Sequence, residues 1–213
     1  MNLMAPLASI TPGLDSAALT VLAGADTAMS ATQIQRVAAR GSRYGLVLVL
    51  ERLAEHGLVT AIPAGRGSLY RFNREHVLAS AVIAAVQSRA ELNRRLADGL
   101  RAMTPAPLGA AIYGSVARGD ATPASDIDLL VIIRNDVDTD SDLWIRQADE
   151  LARQVRSWSG NALQLATVSP NQLAGMARAH DHIVDEWERD AHTIMGKDVR
   201  GYIRAARKGT PEP

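Results

Sequence analysis

The chain has 213 residues, of which 47% are hydrophobic and 22% are charged, a composition typical of a folded globular protein. It carries 23 basic and 23 acidic residues, so the net charge predicts no general attraction to nucleic acids or anionic membranes, and the lack of cysteine excludes disulfides and thiolate metal sites. No apolar stretch approaches the roughly 18–20 residues of a membrane helix, and the first residues lack the basic start of a signal peptide. We therefore expect a cytoplasmic protein without membrane contact.

Three short helices are predicted in the first third of the chain. Ser30 is a favourable cap for the second helix because its hydroxyl can accept from the free amides of the first turn. Asp15 is the expected cap of the first helix, and Gly41 and Gly57 are expected to end the second and third. The predicted ranges are Ser16–Leu22, Ser30–Gly41 and Tyr44–His56.

Two β-prone segments follow the third helix and predict a hairpin. Leu58–Ile62 and Ser68–Phe72 flank a glycine-rich turn at Pro63–Gly67. The order of three helices and a hairpin, together with the segment Leu53–Val59, resembles the winged helix-turn-helix transcription factors of bacteria. The resemblance covers about residues 15–74 and implies that this region binds double-stranded DNA.

Basic residues are concentrated in the same region. Residues 30–74 contain seven arginines and two glutamates, a local charge of +5 in a neutral chain. DNA carries a dense negative charge, so the candidate DNA contacts are Arg36, Arg40, Arg43 and Arg66. A solvated hairpin without a nucleic-acid role is the alternative. Winged-helix proteins often bind two half-sites, so the resemblance also makes a homodimer plausible.

A long helical pattern separates this region from the second half of the chain. Apolar residues at helical spacing over Glu75–Met103 predict a connecting helix with a break near Arg89. The prolines of Thr104–Pro107 then stop the helix, since proline lacks the amide donor. We therefore predict a winged-helix domain at residues 1–80, a connecting helix at 81–106 and a further domain at 107–213.

Strands and helices alternate after the prolines. The nearly continuous apolar run Ile127–Ile133 predicts a strand that is buried on both faces. Ser169 is the expected cap of a later helix, and we expect residues 208–213 to form a frayed tail. The predicted strands are Gly109–Tyr113, Ile127–Ile133 and Ala162–Val168, and the predicted helices are Leu143–Trp158, Pro170–Ala179 and Asp181–Ala191.

The first and second of these strands carry polar residues with a specific spacing. Gly114 and Ser115 follow the first strand, and about ten residues later Asp126 and Asp128 open the second. Side chains two residues apart on a strand project from the same face, and adjacent carboxylates repel each other unless a cation lies between them. Mg²⁺ prefers one or two carboxylates with phosphate oxygens and water, so the two aspartates are the candidate metal ligands and catalytic residues.

The segment from Gly114 to Val131 resembles the signature of the polymerase-beta-like nucleotidyltransferase superfamily, in particular the minimal nucleotidyltransferases. Over residues 107–197 this resemblance implies an α/β (α+β) nucleotidyltransferase fold with a mixed sheet, closed by a strand within Ala191–Gly196. It implies a protein that binds Mg²⁺ and a nucleoside triphosphate, with ATP the expected one, and transfers a nucleoside monophosphate to a hydroxyl. The acceptor stays open between a protein side chain, a small molecule and an RNA end.

Four residues near the carboxylates are candidates for nucleotide binding. Gly114 lets the backbone approach an anion, and Ser115 offers an amide and a hydroxyl to the phosphates. Arg118 is expected to neutralise charge on the leaving pyrophosphate, and Ser125 is expected to cap or orient Asp126. The alternatives are a plain strand-to-helix turn, a solvated arginine, and structural roles for the carboxylates as a loop cap or a buried ion pair.

The sequence departs from the superfamily pattern at a third position. The superfamily uses another carboxylate, on the strand after the next helix, to accept the proton of the attacking hydroxyl, and Gln164 occupies the matching position here. An amide cannot act as a general base. A second interpretation is therefore a transcriptional regulator that binds nucleotide as a signal and has weak catalysis. A third is the nucleotidyltransferase member of a toxin–antitoxin pair that modifies its partner.

Overall fold

The computed structural model describes residues 1–209, so most of the predicted frayed tail, residues 210–213, lies outside the described part of the chain. The chain divides into two compact units. The N-terminal unit contains Asn2 and Met4–Arg89, and the C-terminal unit contains Met1, Leu3 and the residues from Ala90 onward. Over the described range, none of the helices has the length and apolar character needed to cross a membrane.

The N-terminal unit combines helices with a small antiparallel sheet. Its elements are a 3₁₀ helix at Pro6–Ser9, α1 at Leu14–Ala23, β1 at Met29–Ser30, α2 at Ala31–Ala38, α3 at Arg43–Glu55, β2 at Val59–Ala64, β3 at Gly67–Phe72 and α4 at Ala79–Val86. The strand order is β1-β3-β2, and the turn between β2 and β3 contains Gly65 and Arg66. Three helices are thus followed by a hairpin, in the order expected from the sequence.

Local hydrogen bonds set the helix starts in this unit. Ser30 caps α2, because its Oγ accepts from the amide of Gln33 while the Gln33 side chain accepts from the Ser30 amide. The expected cap of α1 is wrong. That helix begins before Asp15, after Gly13, without a side-chain cap. Asp15 lies in the first turn, where its charge forms an ion pair with Arg52 of α3.

The end of α2 also differs from the expectation. The helix ends at Ala38, and Ala39 takes a left-handed conformation with a φ of 49°, three residues before α3 is capped by Ser42. Gly41, the expected stop, lies in the turn between the two helices. It has a positive φ, which favours glycine, and a Cβ there would meet the methyl groups of Leu14.

One apolar face of each helix packs into a common core with the hairpin. Its larger buried side chains include Leu22, Ile34, Leu46, Leu50, Leu53, Val59, Tyr70 and Phe72. The spacing of Leu46, Leu50 and Leu53 on α3 is the helical spacing predicted from the sequence. Val49, the neighbour of Leu50 on this helix, is only partly buried. Burial of each fully covered side chain contributes about 1.5–3 kcal/mol.

The predicted connecting helix is interrupted. α4 ends at Val86, Gln87 separates it from the next helix, α5, and residues 75–78 are not helical. The side chains of Asn73 and His76 accept from the amides of Glu75 and Leu78, and such local bonds compete with helix formation. The helix therefore begins at Ala79, four residues later than the apolar pattern predicts.

The C-terminal unit contains a mixed four-stranded sheet. Its elements are α5 at Ser88–Ala102, β4 at Gly109–Tyr113, α6 at Gly114–Arg118, β5 at Ile127–Ile132, α7 at Asp142–Ser159, β6 at Leu163–Val168, α8 at Pro170–Arg178, α9 at His182–Asp190, β7 at His192–Gly196 and α10 at Val199–Lys208. The strand order is β6-β5-β4-β7, with β5 and β6 parallel and the other pairs antiparallel. The predicted mixed sheet is confirmed, and its strongest strand, β5, is buried on both faces.

Helix α10 was not expected from the sequence. Val199, Tyr202, Ile203 and Ala206 are buried at the spacing i, i+3, i+4, i+7, and they pack into the same core as Trp187 of α9. This is the standard pattern of an amphipathic helix. This pattern is present in the sequence, but we predicted no element between the strand within Ala191–Gly196 and the tail that was expected from residue 208.

Candidate active site

Two carboxylates lie close enough at the start of β5 for their charges to interact. Asp126 precedes the strand and is exposed, whereas Asp128 lies within the strand and is half-buried. Asp128 is flanked in the sheet by Tyr113 of β4 and Gln164 of β6. Burial raises the pKa of Asp128 above its ordinary value, and the negative charge of Asp126 raises it further. A cation between the two carboxylates would relieve this repulsion.

Gly114 lies directly against one of these carboxylates. The residue follows β4 with a φ of 67°, and a Cβ built on it would overlap the carboxylate of Asp128. Both the backbone conformation and the close approach require glycine. The turn from β4 into α6 is therefore adjacent to the carboxylate pair, as the motif predicts.

The helix expected after this turn is short. α6 has five residues, so its aligned peptide dipoles add only a small positive potential at the N-terminus. The backbone carbonyl of Ser115 accepts from the amides of Gly119 and Asp120. Its hydroxyl makes no hydrogen bond with any residue in the range 1–209. The phosphate-binding role of Ser115 stays a prediction.

Arg118, at the end of α6, is fixed by acidic partners. Its Nη1 donates to Oδ2 of Asp190 at 2.8 Å, and its Nε donates to Oδ2 of Asp120 at 3.3 Å. Asp190 also accepts two hydrogen bonds from Arg189. These bonds, first from Arg189 and then from Arg118, lower the pKa of Asp190 to about 2, although burial opposes the shift. Arg118 is therefore held by two carboxylates, whereas the alternative of a solvated arginine would leave it without such partners.

Ser125 is engaged within its own turn. Its Oγ accepts from the amide of Thr122 at 2.9 Å, so the hydroxyl shapes the segment before Asp126. The side-chain amide of Asn161, a buried residue, donates to the carbonyl of Ser125 at 2.9 Å and to that of Pro123 at 3.2 Å. The turn that carries Asp126 is therefore tied to the start of β6. A direct contact of Ser125 with nucleotide stays a prediction.

Gln164 faces the carboxylates from β6. Its backbone pairs beside Asp128, and its Nε2 donates to Oδ2 of Asp126 at 3.1 Å. The side chain that occupies the expected position of the third carboxylate is therefore an amide in contact with the pair. It offers hydrogen-bond donors where a base would be required.

Three residues of this region were not identified from the sequence. Asn161 holds the turn before the carboxylates, Asp190 holds Arg118, and Glu186 of α9 adds a smaller effect to the burial and the Asp126 charge that raise the pKa of Asp128. All three lie far from the motif in the chain. Only the fold brings them to it, so no local spacing could have indicated them.

The donor set fits magnesium. In the part of the chain that the structure describes, no group of three or more His, Cys, Asp or Glu side chains is arranged to hold a metal ion. Mg²⁺ is commonly held by one or two carboxylates, with phosphate oxygens and water completing its six positions. Asp126 and Asp128 supply two such carboxylates.

The candidate DNA contacts lie on the N-terminal unit and are exposed. Arg36 and Arg40 line one open pocket of about 420 Å³ at the end of α2, whereas Arg43 and Arg66 are not among its lining residues. Arg40 also donates to the carbonyl of Pro12 at 3.2 Å. Arg43 opens α3, and Arg66 is in the turn between β2 and β3.

The site lies inside a segment that resembles known proteins. Residues 94–163 match the family model of the nucleotidyltransferase domain. This confirms the nucleotidyltransferase prediction for the segment, which contains Gly114 and both carboxylates and ends one residue before Gln164. A crystal structure titled as a toxin–antitoxin with AMP-PNP aligns with a TM-score of 0.40 and 16% identity, covering 55% of this chain and 85% of that one. No match was found among curated proteins.

Proposed function

We propose that the C-terminal unit is a nucleotidyltransferase that binds ATP with Mg²⁺ and transfers AMP to a hydroxyl. We further propose that the N-terminal unit is a winged helix that binds duplex DNA. The observation that carries the first part is the pair Asp126 and Asp128. The carboxylate of Asp128 in β5 lies against Gly114, the charge of Asp126 acts on it from the start of the strand, and both residues fall within the segment that matches the nucleotidyltransferase domain.

In the proposed reaction, the oxygen of an acceptor hydroxyl attacks the α-phosphorus of ATP. A new phosphorus–oxygen bond forms while the bond to the bridging oxygen breaks, pyrophosphate leaves, and the hydroxyl proton passes to a base. Mg²⁺ held by Asp126 and Asp128 would supply charge neutralisation when bound. Gly114 and Ser115 would hold the phosphates through backbone amides, and Arg118 would stabilise the negative charge of the leaving group.

The position of Gln164 makes the proposed transfer slow. A general base typically accelerates such a step about 10²–10⁴-fold, and an amide cannot replace it. Gln164 can donate to Asp126, as observed, or to a phosphate oxygen or a water molecule. We therefore expect retained binding of ATP and weak turnover in the natural protein.

The proposed DNA-binding role rests on the elements of the N-terminal unit. α2 and α3 would form the helix-turn-helix, with α3 in the major groove, and the β2–β3 hairpin would contact the backbone as the wing. The local charge of +5 over residues 30–74 supports this role. Arg36, Arg40, Arg43 and Arg66 are the arginines expected to contact DNA.

Incubation of the full chain with labelled ATP and Mg²⁺ tests the enzymatic proposal. Both retained ligand and released pyrophosphate should be measured, with Asp126→Asn and Asp128→Asn as site variants and Asp136→Asn, in an exposed loop after β5, as the matched control. We expect Mg²⁺-dependent ATP binding that is lost in both site variants and kept in the control. Unchanged affinity in both site variants would rule out the site.

A second candidate function is a nucleotide-sensing regulator with little catalysis. The observation that favours it is that Gln164, the residue at the expected position of the catalytic base, donates a hydrogen bond to Asp126. A sensor would retain ATP without releasing pyrophosphate, and its affinity for duplex DNA would change with ATP. A transferase would bind duplex DNA equally well with and without ATP, so a measurement of DNA affinity at both conditions separates the two.

A further inference from the structure

A buried carboxylate at the end of α9 is shared by two arginines. The side chain of Asp190 is 4% exposed, and it accepts from Nη1 of Arg118 and from Nε and Nη2 of Arg189. Burial of a carboxylate is costly unless it is paired. The two arginines offset this cost, and Asp190 in turn fixes Arg118 of α6, which lies 72 residues away in sequence.

Two arginines share the buried Asp190, and Arg118 has a second carboxylate partner, Asp120, at the surface. Asp120 is 62% exposed and therefore strongly screened by water. Nη2 of Arg118 makes no hydrogen bond with residues 1–209, and the side chain is 40% exposed. Both N–H donors of Nη2 are thus available to a ligand while Nε and Nη1 are held by the two carboxylates.

The held guanidinium lies next to the carboxylate site. α6 is a single turn that starts at Gly114, whose backbone abuts Asp128, so Arg118 is one turn away from that contact. The positive charge of Arg118 also acts on Asp128, partly opposing the burial and the Asp126 charge that raise its pKa. An anion held at the carboxylates through a cation would therefore meet Arg118 on one side.

We propose that Asp190 is a positioning residue, which holds Arg118 so that its free Nη2 edge faces the β- and γ-phosphates of a bound triphosphate. This inference rests on the proposed nucleotide site. Asp190 does not touch the nucleotide; it acts through Arg118. Recognition of the terminal phosphates is consequently assigned to α6 and α9 together, and recognition of the α-phosphate to the carboxylates and Gly114.

A simpler role would be a structural link between α6 and α9, and the two roles predict different binding. A structural link would affect every ligand of the site when it is lost. A positioning residue would affect ATP, which carries the terminal phosphates, and would spare AMP, which lacks them. Double-mutant cycles add a second criterion, because residues that act as a unit are not additive.

The test measures ATP and AMP affinity by calorimetry in the presence of Mg²⁺. The variants are Arg118→Ala, Asp190→Asn, the double variant and Arg189→Ala, with Asp185→Asn as a matched control on the exposed face of α9. We expect about tenfold weaker ATP binding for Arg118→Ala and Asp190→Asn, and no further loss in the double variant. AMP affinity should stay within about twofold throughout, and Arg189→Ala and the control should bind ATP like the natural protein.

Other results would contradict either the positioning role of Asp190 or the proposed function. Natural ATP affinity in folded Asp190→Asn, or an equal loss of ATP and AMP affinity, overturns the positioning role. If Asp190→Asn does not fold, natural ATP affinity in Arg118→Ala overturns the role, because the role acts through Arg118. Absence of ATP binding by the natural protein overturns the proposed function itself and this role with it.

Discussion

The side chain of Gln164 donates from Nε2 to Oδ2 of Asp126 at 3.1 Å, while its backbone lies beside Asp128 in the parallel pair of β5 and β6. An aspartate in place of this glutamine would add a third carboxylate on the same face. In the natural protein, the amide stabilises the negative charge of Asp126 instead of adding to it. The site therefore holds two negative charges and a donor.

We predict that Gln164→Asp increases Mg²⁺ affinity and raises pyrophosphate release at least tenfold over the natural protein, because it restores both a metal ligand and a base. Metal titration and a pyrophosphate-release assay check the two effects. Gln164→Asn is the control, since it shortens the side chain without adding charge. Brisk turnover by the natural protein would show that another acid, such as Asp120 or a group of the acceptor, is the base.

The raised pKa of Asp128, caused by burial and then by Asp126, predicts a stability effect. Because the ionised form is disfavoured in the folded state, Asp128→Asn should raise Tm at neutral pH without metal. The gain should disappear at low pH, where the natural carboxyl is protonated too. The same variant should lose the rise in Tm that Mg²⁺ with ATP gives the natural protein. A lower Tm at pH 7 would contradict the repulsion between the carboxylates.

A salt titration tests the proposed DNA contact at the hairpin tip. Arg66→Ala should weaken binding to duplex DNA, and the dependence of affinity on salt should become shallower by about one ion, because one phosphate contact is lost. Arg153→Ala, an equal charge change at an exposed position of α7, is the control and should leave both quantities unchanged. No salt-dependent affinity of the natural protein for duplex DNA, its own upstream region included, would contradict the regulatory role.

The lowered pKa of Asp190 predicts a dependence of stability on pH. Bonds from Arg189 and Arg118 lower this pKa from 3.8 to about 2, so the stabilisation is present at neutral pH and is lost as the pH falls from about 4 through about 2. Asp190→Asn should therefore destabilise the C-terminal unit by about 1–3 kcal/mol at pH 7. Denaturant unfolding at several pH values measures this difference. A difference that does not shrink in acid would exclude the ion pairs as its cause.

Patterns that depend on near neighbours could be predicted from the sequence. The apolar run of β5 indicates a strand buried on both faces, and Ser30 and Ser169 cap their helices because the bonds involved span only three residues. The carboxylate pair also follows from local geometry, since Asp126 and Asp128 are two residues apart on an extended segment.

Partners that are distant in the chain could not be predicted in this way. Aspartate is a residue type that often caps helices, yet Asp15 lies inside the first turn of α1 and forms an ion pair with Arg52 of another helix. The role of Asn161 requires the turn before β5 to meet the start of β6, which only the parallel pairing of these strands brings about. Asp190 likewise has no local pattern that indicates Arg118 as its partner.

The contact between Arg118 and Asp190 closes a loop of 72 residues, and this has a consequence for synthesis of the protein. The ribosome makes Gly114, Asp126 and Asp128 long before α9 leaves the exit tunnel. During that interval the carboxylates and the turn of Gly114 exist without a fixed Arg118. Under the proposed role of Arg118, strong binding of a triphosphate would require that translation has passed Asp190, and a truncated chain that ends before α9 would not compete for nucleotide with the finished protein.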